Sequence, residues 1–225
     1  MNKTYLFYDI ETTGLNKAFD QVLQFAAIRT DRQLNEIERY TLRVKLRPDV
    51  IPSPGAMITN RLSVADLASG LCEFEAIRQI HELMNQRETI SLGYNSLGFD
   101  DEFLRFSFHR NLLPPYTHQF QNGCRRMDLL PIAVMFWLYN REIMTWPQIQ
   151  SKPSLKLEHI REANQLASGP AHDATVDVVA TVELTRRFFK NQKMWSYLMG
   201  YFEKETDAHR IAEIPAAFQS AMGEH

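Results

Sequence analysis

The segment Thr4–Glu11, "TYLFYDIE", is rich enough in aromatic and β-forming residues to sit in the middle of a sheet, yet it ends in two carboxylates. Alternate side chains of a strand point the same way, so Asp9 and Glu11 share one face and Ile10 takes the other. Like charges placed together repel unless something positive lies between them.

The segments that follow define the sheet around it. "QVLQFAAIRTD" and "EIERYTLRVKL" read as second and third strands. In the third, Ile37, Arg39, Thr41 and Arg43 alternate with Glu38, Tyr40, Leu42 and Val44. Short polar connections make the three a meander of neighbours. "RPDVIPSPGAMITN", with three prolines and a glycine, reads as a surface loop. Phe74, Ile77, Ile80, Leu83 and Met84 then fall at helical steps, and "TISLGYN" is a fourth strand reached through that helix. A strand–helix–strand crossover implies parallel pairing.

"DEFLRFSFHRN" reads as a helix, and "CRRMDLLPIAVMFWLYN" as a helix that starts near Met127. "TWPQIQSKPS" is a loop, and "SLKLEHIREAN" is a helix with Ser154 at its N-cap. A long helix runs to about Asn191, with Val178, Val182, Phe188 and Phe189 on its apolar side, and a more polar helical tail follows from Met194. The expected architecture is α/β: a ribonuclease H-like mixed sheet, made of an antiparallel three-strand meander plus parallel strands and flanked by helices. Residues 1–190 form the expected domain, and 191–225 are a helical C-terminal extension packed on it.

Composition limits the partners. The formal net charge is −2, so a nucleic acid would have to be met by a local patch or by metal ions. Cys72 and Cys124 lack metal-ligand spacing and read as reduced residues of a cytoplasmic protein. No signal peptide is visible, and "LLPIAVMFWLY" is too short to span a bilayer, so no membrane partner is expected.

Three groups of residues carry the chemistry. The first is "DIETTG". The second is "NSLGFD", Asn95 to Asp100, after the fourth strand; the adjacent Asp101 reads as a helix N-terminal acid that favours the dipole. The third is "HDATVD", His172 to Asp177, at the start of the long helix. Any one of them is common as solvated acids or helix caps. Together, in this order on this topology, they resemble the DnaQ-like (DEDDh) 3′→5′ exonucleases. "QFAAIRTD", "PSPGAMIT", "LGYNSLGFDDE", "DLL" and "AHDATVDVVAT" narrow the resemblance to the nuclease domain of bacterial exonuclease I, over roughly residues 4–190.

Four carboxylates in one cleft call for divalent cations, and hard oxygen ligands favour Mg²⁺, with Mn²⁺ able to substitute. Two ions about 3.5–4 Å apart could clamp a phosphodiester. Asp9, Glu11, Asp100 and Asp177 are the expected ligands, with Asp9 bridging. His172, whose ordinary pKa of about 6.5 suits the task, is the expected general base.

The resemblance implies a two-metal exonuclease that releases nucleoside 5′-monophosphates from the 3′ end of single-stranded DNA. It places Thr12, Thr13, Gly14 and Leu15 against the terminal nucleotide. Asn95 either touches substrate or holds its own loop. Phe99 and Phe103 are further candidate contacts, and Phe106 and Trp146 could stack bases. Arg105, Arg110, Arg125, Arg126, Lys152 and Lys156 are candidates for a backbone track, whereas Arg186, Arg187 and Lys190 suit a helix C-terminus.

Members of the resembled family carry further SH3-like and helical regions that help to enclose the strand, so distributive digestion is expected of this chain alone. An RNA-trimming enzyme is the alternative within the same chemistry, since discrimination rests on the 2′-hydroxyl. A catalytically idle nucleic-acid-binding module would show erosion of a ligand, and none is eroded. A proofreading subunit would need a partner-binding segment, and the tail offers no obvious one.

Overall fold

β1 (Thr4–Thr12) lies at the centre of the sheet because both of its faces are apolar. Tyr5 and Phe7 enter one core, and Leu6, Tyr8 and Ile10 enter the other. The structure, a computed structural model, describes residues 3–169 and 173–213. β2 (Val22–Thr30) pairs antiparallel with β1 and is buried along its whole length. β3 (Glu36–Arg43) pairs antiparallel with β2 and forms the exposed edge.

The chain then leaves the sheet through α1 (Pro54–Asn60), α2 (Val64–Leu67) and α3 (Glu73–Met84). It returns as β4 (Thr89–Gly93), parallel to β1. α4 (Asp100–Arg110) leads to β5 (Arg125–Asp128), parallel to β4. α5 (Leu129–Tyr139), α6 (Leu157–Asn164), α7 (Ala174–Phe189), α8 (Gln192–Met199) and α9 (Asp207–Ala212) complete the described chain. The sheet order is β3-β2-β1-β4-β5, the mixed sheet that the sequence predicts.

Helices cover both faces. Ala76, Ile77 and Ile80 of α3, with Phe103, Leu104 and Phe108 of α4, pack against Leu6, Tyr8 and Ile10. On the opposite face α5, α6, α7 and α8 close over Phe7, Ile28 and Leu92. There Phe136 stacks on Phe188 with ring centroids 4.4 Å apart, and Trp195 and Leu198 of α8 are buried in the same core. Among the described residues no helix is long and apolar enough to cross a membrane.

Four local expectations are corrected. The proline-rich stretch after β3 contains α1, which begins at Pro54, where a missing N–H costs nothing. Arg125–Asp128 is a strand, so the helix starts at Leu129. Residues Gln148–Ile149 and Lys152–Pro153, expected as loop, form a two-residue antiparallel ladder. Ser154 does not cap α6. The cap is Lys156, and the Ser154 hydroxyl lies 2.7 Å from His159 Nδ1.

Asp101, expected as an ordinary helix N-terminal acid, is fully buried. It accepts from His118 Nε2 at 3.0 Å, Gln119 Nε2 at 3.1 Å and Arg126 at 2.5 Å. Burial alone would raise its pKa, but the hydrogen bonds and charges of His118 and Arg126 hold it below the usual carboxylate range. The group therefore ties the start of α4 to β5. Asp101→Ala leaves His118 and Arg126 without their shared partner, and it should lower unfolding free energy by about 3 kcal/mol in urea titrations at pH 7. Because folding depresses this pKa, the difference from wild type should hold above about pH 4 and shrink as the pH falls further.

Candidate active site

β1 runs on past the end of its parallel neighbour. Pairing with β4 stops at Phe7↔Leu92, and β4 itself ends at Gly93. A Cβ on Gly93 would lie 2.9 Å from the Tyr8 carbonyl and 2.7 Å from Ser96 Cβ, so only glycine lets the turn pass this close to β1. The backbone beyond Tyr8 is thus open on that side. Asp100, the first residue of α4, fills part of the gap by accepting from the Ile10 amide at 3.3 Å.

Asp9 and Glu11 continue the face that bears Tyr5 and Phe7, which is the face covered by α7. Asp177 lies in the first turn of α7, and Asp173 caps that helix through the Thr175 amide at 2.9 Å. Acids from the end of β1, the start of α4 and the start of α7 are thereby brought to one place.

The electrostatics record that proximity. Burial pushes the Asp9 carboxyl well above the usual range, and the charges of Asp100, Glu11, Asp177 and Asp173 push the same way. Glu11 is pushed up to about 8 by burial and by Asp177, Asp100 and Asp173. Asp100 is pushed up to about 7, burial outweighing the hydrogen bonds from its own amide and that of Ile10. Among the described residues, no group of three or more His, Cys, Asp or Glu side chains is arranged to hold a metal ion between them. The carboxylates feel one another's charge without being drawn onto a common point. As a donor set they are all oxygen and strongly anionic, which fits a hard divalent cation and not a soft one. His172 lies outside the described residues.

A concavity of about 800 Å³ opens in front of Asp9 and Asp177. Its walls are Tyr94, Phe99, Leu130, Leu155 and Leu157, with Asn95, Lys156 and Glu158 at polar positions. Of the predicted contacts, Asn95 and Phe99 face this space. Phe103 does not, because it is fully buried beneath Phe99 at a centroid distance of 5.6 Å.

The loop after β1 is built by its own polar groups. Thr12 Oγ1 donates to the Gly14 carbonyl at 2.7 Å, and Thr13 Oγ1 donates to Asp20 Oδ1 at 2.8 Å. Asp20 sits so close that a Cβ on Gly14 would meet its carboxylate at 2.5 Å. Thr12 and Thr13 are buried, while Leu15 stands 84% exposed at the tip.

Most of the expected basic track is engaged elsewhere. Arg110 donates to the carbonyls of Ala18 and Asp20 and pairs with Glu73 at 2.6 Å, which clamps the loop after β1. Arg125 pairs with Glu203 and Glu205, Arg126 with Asp101, and Arg105 with Glu102. Trp146 stacks on Phe188, and Phe106 lies under the Arg105 guanidinium. Lys152 is exposed on the short ladder, and only Lys156 reaches the large concavity.

Asp128 was not singled out beforehand. Buried at the end of β5, it accepts from the amides of Asn95 at 2.8 Å, Leu97 at 3.1 Å and Leu130 at 2.9 Å. It holds Asn95 at φ 59°, a left-handed conformation that asparagine tolerates better than most residues. The "DLL" triplet is its one trace in the sequence.

An RNase T-type family model, described as exonuclease, matches residues 6–185. Exodeoxyribonuclease I of Escherichia coli K12 is 36% identical over 205 residues, which make up 89% of this chain and 43% of that protein. Exodeoxyribonuclease I of Haemophilus influenzae is 33% identical, over 86% of this chain and 42% of that protein. Among solved structures, E. coli exonuclease I in complex with a dT13 oligonucleotide superposes with a TM-score of 0.85 at 35% identity, covering 89% of this chain and 44% of that one. A zinc-ion-bound form of the E. coli exonuclease I–single-stranded DNA complex superposes at 0.84 and 35% identity, covering 88% and 43%. The chain therefore spans less than half the length of these relatives, and the matched part holds all three acidic segments. On the family match and on this shared fold, the chain belongs to the RNase T-type exonuclease family.

Proposed function

We propose that the protein is a metal-dependent 3′→5′ exonuclease that removes nucleoside 5′-monophosphates from the 3′ end of single-stranded DNA. The observation that carries this reading is the convergence of Asp9, Glu11, Asp100 and Asp177, from three separate elements, at the open end of β1 in a chain of exonuclease family. Asp100 and Asp177 raise the pKa values of both Asp9 and Glu11, so the site is built to be neutralised by cations.

Asp9, Glu11, Asp100 and Asp177 would hold two Mg²⁺ ions, or Mn²⁺ in their place. The ions would supply positive charge to the scissile phosphate and its leaving oxygen. His172 takes the proton from the attacking water. Leu15, at the exposed tip of the loop after β1, meets the terminal nucleotide, and Thr12, Thr13 and Gly14 hold that loop in shape. Phe99, with Tyr94, Leu155 and Leu157, gives the sugar and base an apolar wall. Asp128 is a positioning residue, since it fixes the loop that delivers Asp100.

DNA is favoured over RNA by the relatives, which are named exodeoxyribonucleases and have been solved with single-stranded DNA. The two described cysteines are free, as a reducing compartment would leave them, which fits a cytoplasmic enzyme.

The direct test is a 5′-labelled single-stranded DNA oligomer and its RNA counterpart, each incubated with Mg²⁺ and with EDTA. A ladder descending from the 3′ end of DNA, abolished by EDTA, is the expected result. A ladder mainly on RNA would overturn the substrate, and no cleavage with Mg²⁺ or with Mn²⁺ in its place would overturn the activity.

Glu11→Gln removes a carboxyl whose pKa, raised to about 8 on folding, costs stability at pH 7. In EDTA the variant should be more stable than wild type by about 1 kcal/mol in chemical denaturation. Added Mg²⁺ should raise the melting temperature of wild type more than that of the variant, and cleavage should fall by about 10²-fold or more.

Asp128→Ala leaves three amides without their acceptor. Single-turnover cleavage should fall by about 10²-fold, while Mn²⁺ still binds at the remaining ligands.

A further inference from the structure

A second, smaller concavity of about 300 Å³ opens on the β2–β3 side of the acids. Its lining includes Gln24, Arg43, Asn60, Arg61, Asp66 and Asp173. The strand register sets its distance from the site. Glu11 lies opposite Gln24, and Gln24 lies opposite Arg43, so the three form one row across β1, β2 and β3. Directly opposed residues share a face. Two strand spacings put Arg43 about 10 Å from Glu11, on the same side of the sheet. Arg61 is brought in by its neighbour, because Asn60 Nδ2 donates to the Thr12 carbonyl at 2.9 Å and fixes the end of α1 to the end of β1.

Two features separate these arginines from the others near the site. The first is that neither guanidinium is hydrogen-bonded or ion-paired with a described residue, whereas Arg47 and Arg110 are both spent on Glu73. The acids at the rim are already in use. Asp173 caps α7, and Asp66 accepts from the Ser63 amide at 2.9 Å and its hydroxyl at 2.6 Å. Arg43 adds to the field that holds Asp66 low, after those hydrogen bonds. The second is that Arg61 caps α1 at φ 56° and ψ 23°. Helices that end in the left-handed region do so most readily on glycine or asparagine. Arg61 therefore occupies a cap position that glycine would fill at no cost.

We propose that Arg43 and Arg61 form a phosphate subsite that holds a phosphodiester of the single strand upstream of the scissile bond. This rests on the nuclease reading above. A polyanion must approach a cleft lined by carboxylates, and two guanidiniums with no partner among the described residues give it an attractive foothold and a direction.

The test is the salt dependence of binding for a 5′-labelled single-stranded oligothymidylate, followed by fluorescence anisotropy with Ca²⁺ in place of Mg²⁺. Each of Arg43→Gln and Arg61→Gln should weaken binding several-fold and reduce the slope of log Kd against log salt by about 0.7, and the double variant by about 1.4. Arg61→Gly separates binding from folding. Glycine suits the left-handed cap, so its melting temperature should equal or exceed that of wild type while its slope falls as far as that of Arg61→Gln. Unchanged slopes in variants of a chain that cleaves DNA would overturn the subsite alone. A wild-type chain that does not shorten the strand from its 3′ end would instead remove the reading on which the subsite rests.

Discussion

Repulsion among carboxylates at the open end of β1 is the constraint around which the rest of the structure is organised. Asp9 and Glu11 share a face, so the strand cannot bury its C-terminal end in an ordinary core. The sheet meets this by ending β4 early at Gly93, which exposes the backbone beyond Tyr8 and admits Asp100. α7 then brings Asp177 over the same face from a helix whose sides are otherwise committed to the core. The two packed faces hold this concentration of charge in place, at a cost in stability that bound cations would offset.

Much of this was legible in the sequence, and the reasons differ by element. β1, β2, β4 and α3 carry a strong apolar signal because each buries at least one face, and β3 alternates around the half-buried Tyr40 and Leu42. β5 was hidden because Arg125–Asp128 is short and runs directly into the apolar α5, so a strand and a helix read as one helix. α1 was hidden because prolines were read as loop, although Pro54 occupies the first helical position that proline favours. The acids were legible since their spacing and order carry the signal. Asp128 was not, because a lone acid before an apolar run has no pattern, and its three amide partners come together only in the fold.

The arginines show the opposite error. Arg110, Arg125 and Arg126 look like a nucleic-acid track in one dimension, yet each is matched to an acid or a carbonyl that tertiary structure supplies. Arg43 and Arg61 had no sequence signal, since one sits in an edge strand and the other in a proline-rich stretch. What marks them is the absence of a described partner, combined with Arg43 in register with Glu11 and Arg61 held beside the end of β1 by Asn60. Around the acids the surface is thus divided: an apolar wall of Phe99, Tyr94 and leucines on the β4–α6 side, and a polar concavity that presents Arg43 and Arg61 on the β2–β3 side. That division suits a ligand with bases on one side and a charged backbone on the other.

The most direct test of the central claim is to count ions. The chain is titrated with Mn²⁺ in the presence of a nucleoside 5′-monophosphate, and bound metal is measured by electron paramagnetic resonance for wild type and for Asp9→Asn. Occupancy of about two ions per chain in wild type, lost in the variant, is the predicted result. No bound ion, or equal occupancy in both proteins, would contradict the assignment of the paired carboxylates as a metal site.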